Sequence, residues 1–133
     1  MWFYNGHEFT ETPKDYQGFV YCITELDTDK KYIGKKNFWR PKTLPKNSKR
    51  ARRVRTKVES DWREYYGSNQ KLQLLVEQRG EDNYKRTILR LCKTKGEMSY
   101  YEAKLQFEFD VLLREDYYNE FIGCKIHSKH IKG

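Results

Sequence analysis

The clearest hydrophobic pattern in the chain is a run of aromatic and β-branched residues from Phe19 to Leu26. It stops at the polar segment Asp27-Thr28-Asp29-Lys30, and Lys31 to Gly34 then resumes with Tyr and Ile. Strand-forming residues on both sides of a polar turn predict a β-hairpin.

A helix is predicted next, because Leu72, Leu75 and Val76 recur at helical spacing. Ser68 or Asn69 is the expected N-cap. Gly80 is the expected end of the helix, since glycine commonly terminates helices.

The segment Tyr84 to Cys92 alternates partly between polar and apolar residues, which predicts a third strand. Ser99 is expected to begin the longest helix. The residues of that helix expected to face the core recur about every four positions: Tyr101, Leu105, Phe109 and Leu112.

The resulting order is β-β-loop-α-β-α, and the length of 133 residues fits one domain covering residues 1–133. We therefore expect an α+β fold with a small, mainly antiparallel three-stranded sheet flanked by helices.

The segment from Lys35 to Lys57 contains many basic residues and no acidic residue. Pro41 and Pro45 disfavour a helix in its first half, so it is predicted to be a long basic loop. The formal net charge of +8 points to an acidic partner, most commonly nucleic acid. The alternative is a solvated basic surface that binds no ligand.

Cys22, Cys92 and Cys124 show neither a disulfide framework nor the spacing of a zinc site. The N-terminus lacks the pattern of a signal peptide, and no apolar run is long enough for a membrane span. We expect a soluble cytoplasmic protein, in the host-cell cytoplasm if a phage encodes it.

Two short motifs in the hairpin, Phe19-Val20-Tyr21 and Tyr32-Ile33-Gly34, carry a family resemblance. They resemble the two signatures of the GIY-YIG endonucleases, with Phe19 and Val20 in place of the eponymous Gly and Ile. The two motifs together are a more specific sign of this family than either motif alone, because a turn joins them and a basic segment follows.

The resemblance covers most of the chain, from about Gly18 to Ile122. The segment 62–68 is similar to one found in stand-alone phage members, Glu102 occupies the place of the metal-binding glutamate, and Asn119 resembles a late asparagine of the family. The resemblance implies hydrolysis of DNA phosphodiester bonds with one divalent ion, Mg²⁺ or alternatively Mn²⁺.

The resemblance also implies roles for the residues. Glu102 is the candidate metal ligand, Tyr21 the candidate base, and Tyr32 a group that positions water or phosphate. The ordinary pKa of Tyr21 is too high for a base, so nearby cations would have to stabilise its phenolate. The phosphate-stabilising cation stays open among four candidates: Lys35, Lys36, Arg40 and Arg63.

The expected partner is double-stranded DNA, with one active site cutting one strand at a time in a monomer or a DNA-induced dimer. A nick or a double-strand break is then possible. The residues predicted to contact DNA are Lys36, Arg50, Arg52, Arg53, Arg55, Lys57, Tyr66 and Asn119. Tyr66 lies nearest the place of a histidine that some family members carry.

Each site residue also has a structural interpretation. Ser99 and Glu102 are spaced as a capping box, and Tyr21 and Tyr32 are typical strand aromatics that pack across a hairpin. Trp39 and Trp62 can stack on bases or anchor the basic segment to the core.

His127 and His130 are spaced for metal binding but lack a third ligand, so an exposed tail is the favoured interpretation. For the whole chain, the competing function is a non-catalytic nucleic-acid-binding module. A pure binding module needs neither the paired tyrosines nor the helical glutamate.

Overall fold

The computed structural model describes residues 1–44 and 54–123. Within these residues seven strands occur in chain order: β1 Trp2–Tyr4, β2 His7–Phe9, β3 Gly18–Glu25, β4 Lys31–Asn37, β5 Trp39–Leu44, β6 Val54–Glu59 and β7 Tyr84–Cys92. The helices are α1 Gln70–Arg79 and α2 Lys95–Glu108, with short 3-10 helices at Trp62–Glu64 and Glu81–Asn83. The α+β class and the predicted positions of the hairpin and the third strand are confirmed.

The main sheet has five strands in the order β2-β1-β7-β3-β4, and β1 runs parallel to β7. The predicted number of three strands is therefore wrong, and the sheet is mixed, with its other three pairings antiparallel. The N-terminal hairpin of β1 and β2 was not predicted from the sequence, and its strands are only three residues long. Asn5 and Gly6 both have positive φ at its turn, which is the backbone that Asn-Gly favours in a two-residue hairpin.

The prediction of a basic loop at 35–57 is also wrong, because the part of this segment that the structure describes forms strands. Lys35 and Lys36 lie in β4, and β5 pairs with β6 from Trp39↔Glu59 to Leu44↔Val54. Pro41 opposes a helix but is tolerated here, because each strand of a two-stranded sheet is an edge strand. Residues 45–53, with Arg50, Arg52 and Arg53, lie outside the described residues.

Helix α1 begins and ends as expected, with the Asn69 side chain accepting from the Leu72 amide and Gly80 at the C-cap. Helix α2 begins earlier than expected: Thr94 is its N-cap, and its hydroxyl accepts from the Glu97 amide at 3.0 Å. Ser99 consequently lies inside the helix, so the predicted helix start is wrong.

Two hydrophobic cores lie on opposite faces of the sheet. Trp2, Phe19, Tyr21 and Trp62 belong to the first, which α1 covers. The second packs under α2 and contains Val20, Ile33, Cys92, Met98 and Val111. Because Trp62 is fully buried, it anchors the core and does not stack on bases.

The expected core face of α2 is only partly right. Tyr101 and Leu105 pack against the second core, whereas Phe109 and Leu112 are 42% and 47% exposed. Phe109 and Leu112 do not follow the core face of α2 because the helix ends at Glu108, before either residue. No helix in the described part of the chain is long and apolar enough to cross a membrane.

Candidate active site

Tyr21 and Gly34 face each other across the β3–β4 hairpin. A Cβ atom at Gly34 would lie 2.5 Å from the Tyr21 hydroxyl, so only glycine leaves room for this ring. A Cβ at Gly67, whose φ is +91°, would lie 3.6 Å from the same oxygen. Tyr21 is therefore a buried residue whose hydroxyl lies between two glycines.

The hydroxyl of Tyr21 makes no hydrogen bond to any described residue. Burial raises the pKa of Tyr21 well above its ordinary value, and the proximity of Tyr65, Tyr32 and Glu102 raises it further. A buried phenol with a raised pKa holds its proton at neutral pH. The neighbours that shift this pKa are two tyrosines and a carboxylate, so they do not supply the cation that a base role for Tyr21 needs.

Tyr32 lies beside Tyr21, with 6.3 Å between the ring centroids, but its hydroxyl reaches the solvent side. The Tyr32 hydroxyl is 2.9 Å from the Ser68 Oγ. Burial raises the pKa of Tyr32, while the hydrogen bond with Ser68 lowers it. The hydroxyl is therefore held in position in its neutral form.

Glu102 projects from α2 beside Lys35 of β4, with 4.0 Å between Lys35 Nζ and Glu102 Oε1. Lys35 Nζ also donates to Ser99 Oγ at 2.8 Å. The Glu102 side chain is 14% exposed, and burial raises its pKa while Lys35 opposes this shift. Since α2 begins at Lys95, the capping-box interpretation of Glu102 is wrong.

A cleft of about 680 Å³ connects these groups at the outer edge of β4. Strand alternation puts Tyr32 and Lys35 on opposite faces of β4, but an edge strand leaves both within reach of one cleft. The charged and hydroxyl side chains that line it are Tyr32, Lys35, Ser68, Lys71, Glu102 and Glu120.

The described residues contain no group of three or more His, Cys, Asp or Glu that could hold a metal. Glu102 and Glu120 are the cleft carboxylates. Mg²⁺ suits such a sparse donor set, because it keeps several waters and binds through one or two carboxylates. The chemistry of the cleft thus fits a hydrated Mg²⁺ at Glu102.

Of the four candidate cations, Lys35 lines the cleft. Lys36 instead pairs with Asp61 at 2.6 Å and lies over the Tyr65 ring. Arg63 pairs with Glu59 at 3.3 Å and donates to the Thr10 carbonyl.

Arg40 is exposed on β5, outside the cleft lining. Lys71 is a cleft cation that the sequence analysis missed. It is the second residue of α1, and only the fold brings that end of the helix to β4.

The predicted DNA contacts lie in several places. The Asn119 amide group binds the backbone of Ile33 twice, donating to its carbonyl at 2.8 Å and accepting from its amide at 3.0 Å. The Asn119 side chain therefore holds β4, and it also lines the cleft. Tyr66 is half-buried beneath the Arg86 guanidinium at 4.1 Å, and Lys57 is exposed on β6.

Other predicted residues contribute no site geometry. Arg55 lies in β6, opposite Thr43. Cys124, His127 and His130 lie outside the described residues. Cys22 and Cys92 are free thiols, as expected.

Three residues that were not assigned to the site from the sequence position it. Ser68 holds Tyr32, Ser99 holds Lys35, and Gln106 donates to the Ile33 carbonyl at 2.9 Å. None carries a sequence signal for this positioning role, because each acts through a partner distant in the chain.

The paired hairpin tyrosines, together with a glutamate on α2, place the molecule in the class of GIY-YIG nuclease domains. The family model described as "Putative endonuclease segE, GIY-YIG domain" matches residues 2–122, and the chain belongs to this family. Comparison with curated proteins and with solved structures gave no match. Membership in a nuclease-domain family implies an endonuclease that acts on DNA.

Proposed function

We propose that the protein is a Mg²⁺-dependent endonuclease that hydrolyses phosphodiester bonds of double-stranded DNA, with Mn²⁺ as a substitute metal. The observation that carries this proposal is the Glu102 carboxylate, which lies largely buried in a cleft beside Lys35. Desolvation disfavours the charged carboxylate, so holding it there has a cost in stability that a catalytic role explains.

Glu102 is the residue that would hold the metal. A bound divalent ion would neutralise charge on the scissile phosphate and lower the pKa of a bound water. Glu120 lines the same cleft and adds negative charge near Tyr32. Both carboxylates therefore favour a cation at this position.

Lys35 supplies the positive charge that faces the phosphate. Its ammonium group is held by Ser99 Oγ, and its charge helps keep Glu102 ionised. Lys71 is a second cation that lines the cleft and can bind a neighbouring phosphate.

Tyr32 orients the attacking water or a phosphate oxygen through its hydroxyl. Ser68 fixes the direction of that hydroxyl, and Tyr21 supports the ring from behind. In this assignment Tyr21 acts through Tyr32 and is a positioning residue.

One cleft cuts one strand in each event. A double-strand break then requires two sequential events or a dimer that forms on DNA, and a monomer suffices to nick. The compartment expected for this activity is the cytoplasm, or the host-cell cytoplasm for a phage-encoded protein.

The test is conversion of supercoiled plasmid to nicked and linear forms with Mg²⁺, Mn²⁺ or EDTA. Glu102→Gln is expected to cut about 100-fold more slowly or worse, since loss of one metal ligand removes several kcal/mol of transition-state stabilisation. Glu108→Gln, at an exposed position of the same helix, is the matched control. Near-normal cutting by folded Glu102→Gln protein would contradict the assignment.

Tyr32→Phe separates chemistry from packing, because it removes the hydroxyl and keeps the ring. We expect a reduced rate of nicking with little change in the free energy of unfolding. The competing function, a non-catalytic binding module, predicts that wild-type protein retains DNA but leaves the plasmid intact in every metal.

A further inference from the structure

A two-stranded ribbon, formed by β5 and β6, extends from the strand that carries the site. Its backbone pairs run from Trp39↔Glu59 to Leu44↔Val54. Six residues of strand span roughly 20 Å at the usual rise of about 3.3 Å per residue. The ribbon is therefore long enough to meet a partner beyond the body of the domain.

Each face of the ribbon carries at least one exposed basic side chain. Lys57 Nζ lies 4.6 Å from the centroid of the Trp39 ring, so these two residues share one face. Arg40 and Lys42 alternate with Trp39 and lie on the other face. Arg40, Lys42 and Lys57 are all exposed, and so is Pro41.

This pattern differs from that of a sheet that packs on its own protein. Such a sheet has one apolar face on the core and one polar face in water. Glu59, the acidic residue at the base of the ribbon, is paired with Arg63 at 3.3 Å. The ribbon thus presents exposed basic side chains in two opposite directions.

The base of the ribbon is held firmly. Phe38 is fully buried, the Ser60 amide donates to its carbonyl at 2.8 Å, and Gln17 Nε2 donates to the Trp39 carbonyl at 3.0 Å. The Trp39 indole also donates to the Pro13 carbonyl at 3.3 Å. These bonds fix the direction of the ribbon relative to β4.

We propose that the ribbon enters the major groove of the DNA and turns each of its faces toward one of the two phosphate walls. The proposal rests on the proposed function for its partner, double-stranded DNA. A groove is the part of DNA that offers negative charge on two opposing sides. A ribbon lying flat on the outside of the backbone would use one basic face only.

The dimensions favour the major groove. Stacked sheets lie about 10 Å apart, which is the thickness of one sheet with its side chains. The major groove of B-DNA is about 12 Å wide, whereas the minor groove is about 6 Å wide. A ribbon with side chains on both faces therefore fits the first groove and not the second.

The connection between ribbon and cleft sets the distance between groove contact and cut. Lys35 lines the cleft, and Lys42 lies seven residues further along the chain. Fully extended chain spans roughly 24 Å over that length, or about seven base pairs. The ribbon thus contacts DNA within one helical turn of the scissile phosphate.

The first test measures DNA affinity against salt concentration in EDTA, so that it does not depend on cleavage. Each lost phosphate contact should reduce the salt slope by about 0.9. Arg40→Gln/Lys42→Gln alters one face, and Lys57→Gln alters the other. Lys85→Gln/Lys93→Gln, at exposed positions outside the ribbon, is the matched control.

We expect slopes reduced by about 1.8 for the Arg40 and Lys42 variant and about 0.9 for the Lys57 variant, with the control unchanged. A change confined to one face would show that the ribbon lies flat on the backbone. Unchanged slopes for both ribbon variants would show that it does not contact DNA. Either result overturns the proposal.

The second test identifies the groove with modified duplexes. A bulky neutral substituent at C5 of cytosine fills the major groove, whereas inosine in place of guanine removes a group from the minor groove only. We expect about a tenfold or greater loss of affinity for the first duplex and little change for the second. The opposite pattern, or equal affinity for both, overturns groove insertion.

These readouts separate the two proposals. Groove-dependent binding by a protein that never cuts would support the ribbon and contradict the proposed enzyme. Plasmid cutting by a protein that is insensitive to both ribbon variants would support the enzyme and contradict the ribbon.

Discussion

Replacing Gly34 by Ala introduces a methyl group at the place that the Tyr21 side chain fills. The new Cβ would lie 2.5 Å from the Tyr21 hydroxyl, 2.8 Å from Cζ of the same ring and 3.0 Å from Cε1 of Tyr32. Gly34 does not have a positive φ, so the alanine backbone is unstrained. The cost of the substitution therefore comes from these contacts.

The Tyr21 ring has little room to move away. Trp2 and Tyr65 meet it edge-on, with centroids at 5.5 and 6.0 Å. Overpacking of a filled core costs about 1–3 kcal/mol. Alanine also restricts the unfolded chain, which returns about 0.4–1 kcal/mol. We expect Gly34→Ala to lower the free energy of unfolding by about 1–2 kcal/mol.

A double-mutant cycle isolates the contact. Tyr21→Phe removes the oxygen that makes the shortest contact, and this oxygen has no hydrogen-bond partner among the described residues. The single variant should therefore be close to wild type in stability. Combined with Gly34→Ala it should recover about 0.5–1 kcal/mol, within the usual range for residues in contact.

The assay is urea unfolding followed by tryptophan fluorescence, with equal m-values required across the four proteins. Nicking by the Gly34→Ala variant should also fall, because the methyl group displaces Tyr32 as well. Strict additivity, within about 0.3–0.5 kcal/mol, would refute the reasoning, since it would mean that the two residues do not share the contact.

The remaining predictions concern buried charges. Burial raises the pKa of Glu102, so ionisation of this carboxyl lowers the stability of the fold as pH rises through that pKa. Glu102→Gln should therefore be at least as stable as wild type at pH 7 and should lose this advantage at acid pH. Nicking by the wild-type protein should decline as pH falls through the same pKa. Arg86→Met should cost about 2–4 kcal/mol in urea unfolding, because two backbone carbonyls lose their donor, whereas the exposed Arg90→Met should not. Burial opposes ionisation of Glu25, but the hydrogen bonds to its carboxylate and the ion pair with Arg79 outweigh burial and lower its pKa. The ionised carboxylate therefore stabilises the fold, and wild type should lose this stabilisation as pH falls through the lowered pKa. Thermal melts at several pH values should show this loss in wild type and not in Glu25→Gln.

Local signals were sufficient for the central elements. The β3–β4 hairpin and β7 could be predicted because strand-forming residues and a polar turn act over short distances. The start of α2 could not, because two segments have the Thr/Ser-x-x-Glu pattern of a capping box. Thr94 and Glu97 form the actual helix start, whereas Ser99 and Glu102 lie one turn further inside.

The site divides in the same way. The resemblance singled out Tyr32, Lys35 and Glu102, which the fold brings to one cleft. Sequence could not reveal that Tyr21 is enclosed, because its burial depends on Gly67 and on the 62–67 segment that follows the ribbon. Ser68 and Lys71 were out of reach for the same reason: they meet β4 only through tertiary packing.

The position of the cleft follows from how the outer edge of β4 is covered. The segment after α2 continues the sheet at the start of this edge, where the Lys31 amide donates to the Asp116 carbonyl and the Tyr118 amide donates to the Lys31 carbonyl. One step further on, the Asn119 side chain replaces a strand by bonding both backbone groups of Ile33. An edge strand with free backbone groups invites pairing with other chains, and this arrangement prevents it over the first half of β4. At Lys35 the outer edge of β4 faces the cleft and is no longer covered by this segment. Asn119, which resembles a late asparagine of the family, therefore fixes where the cleft opens.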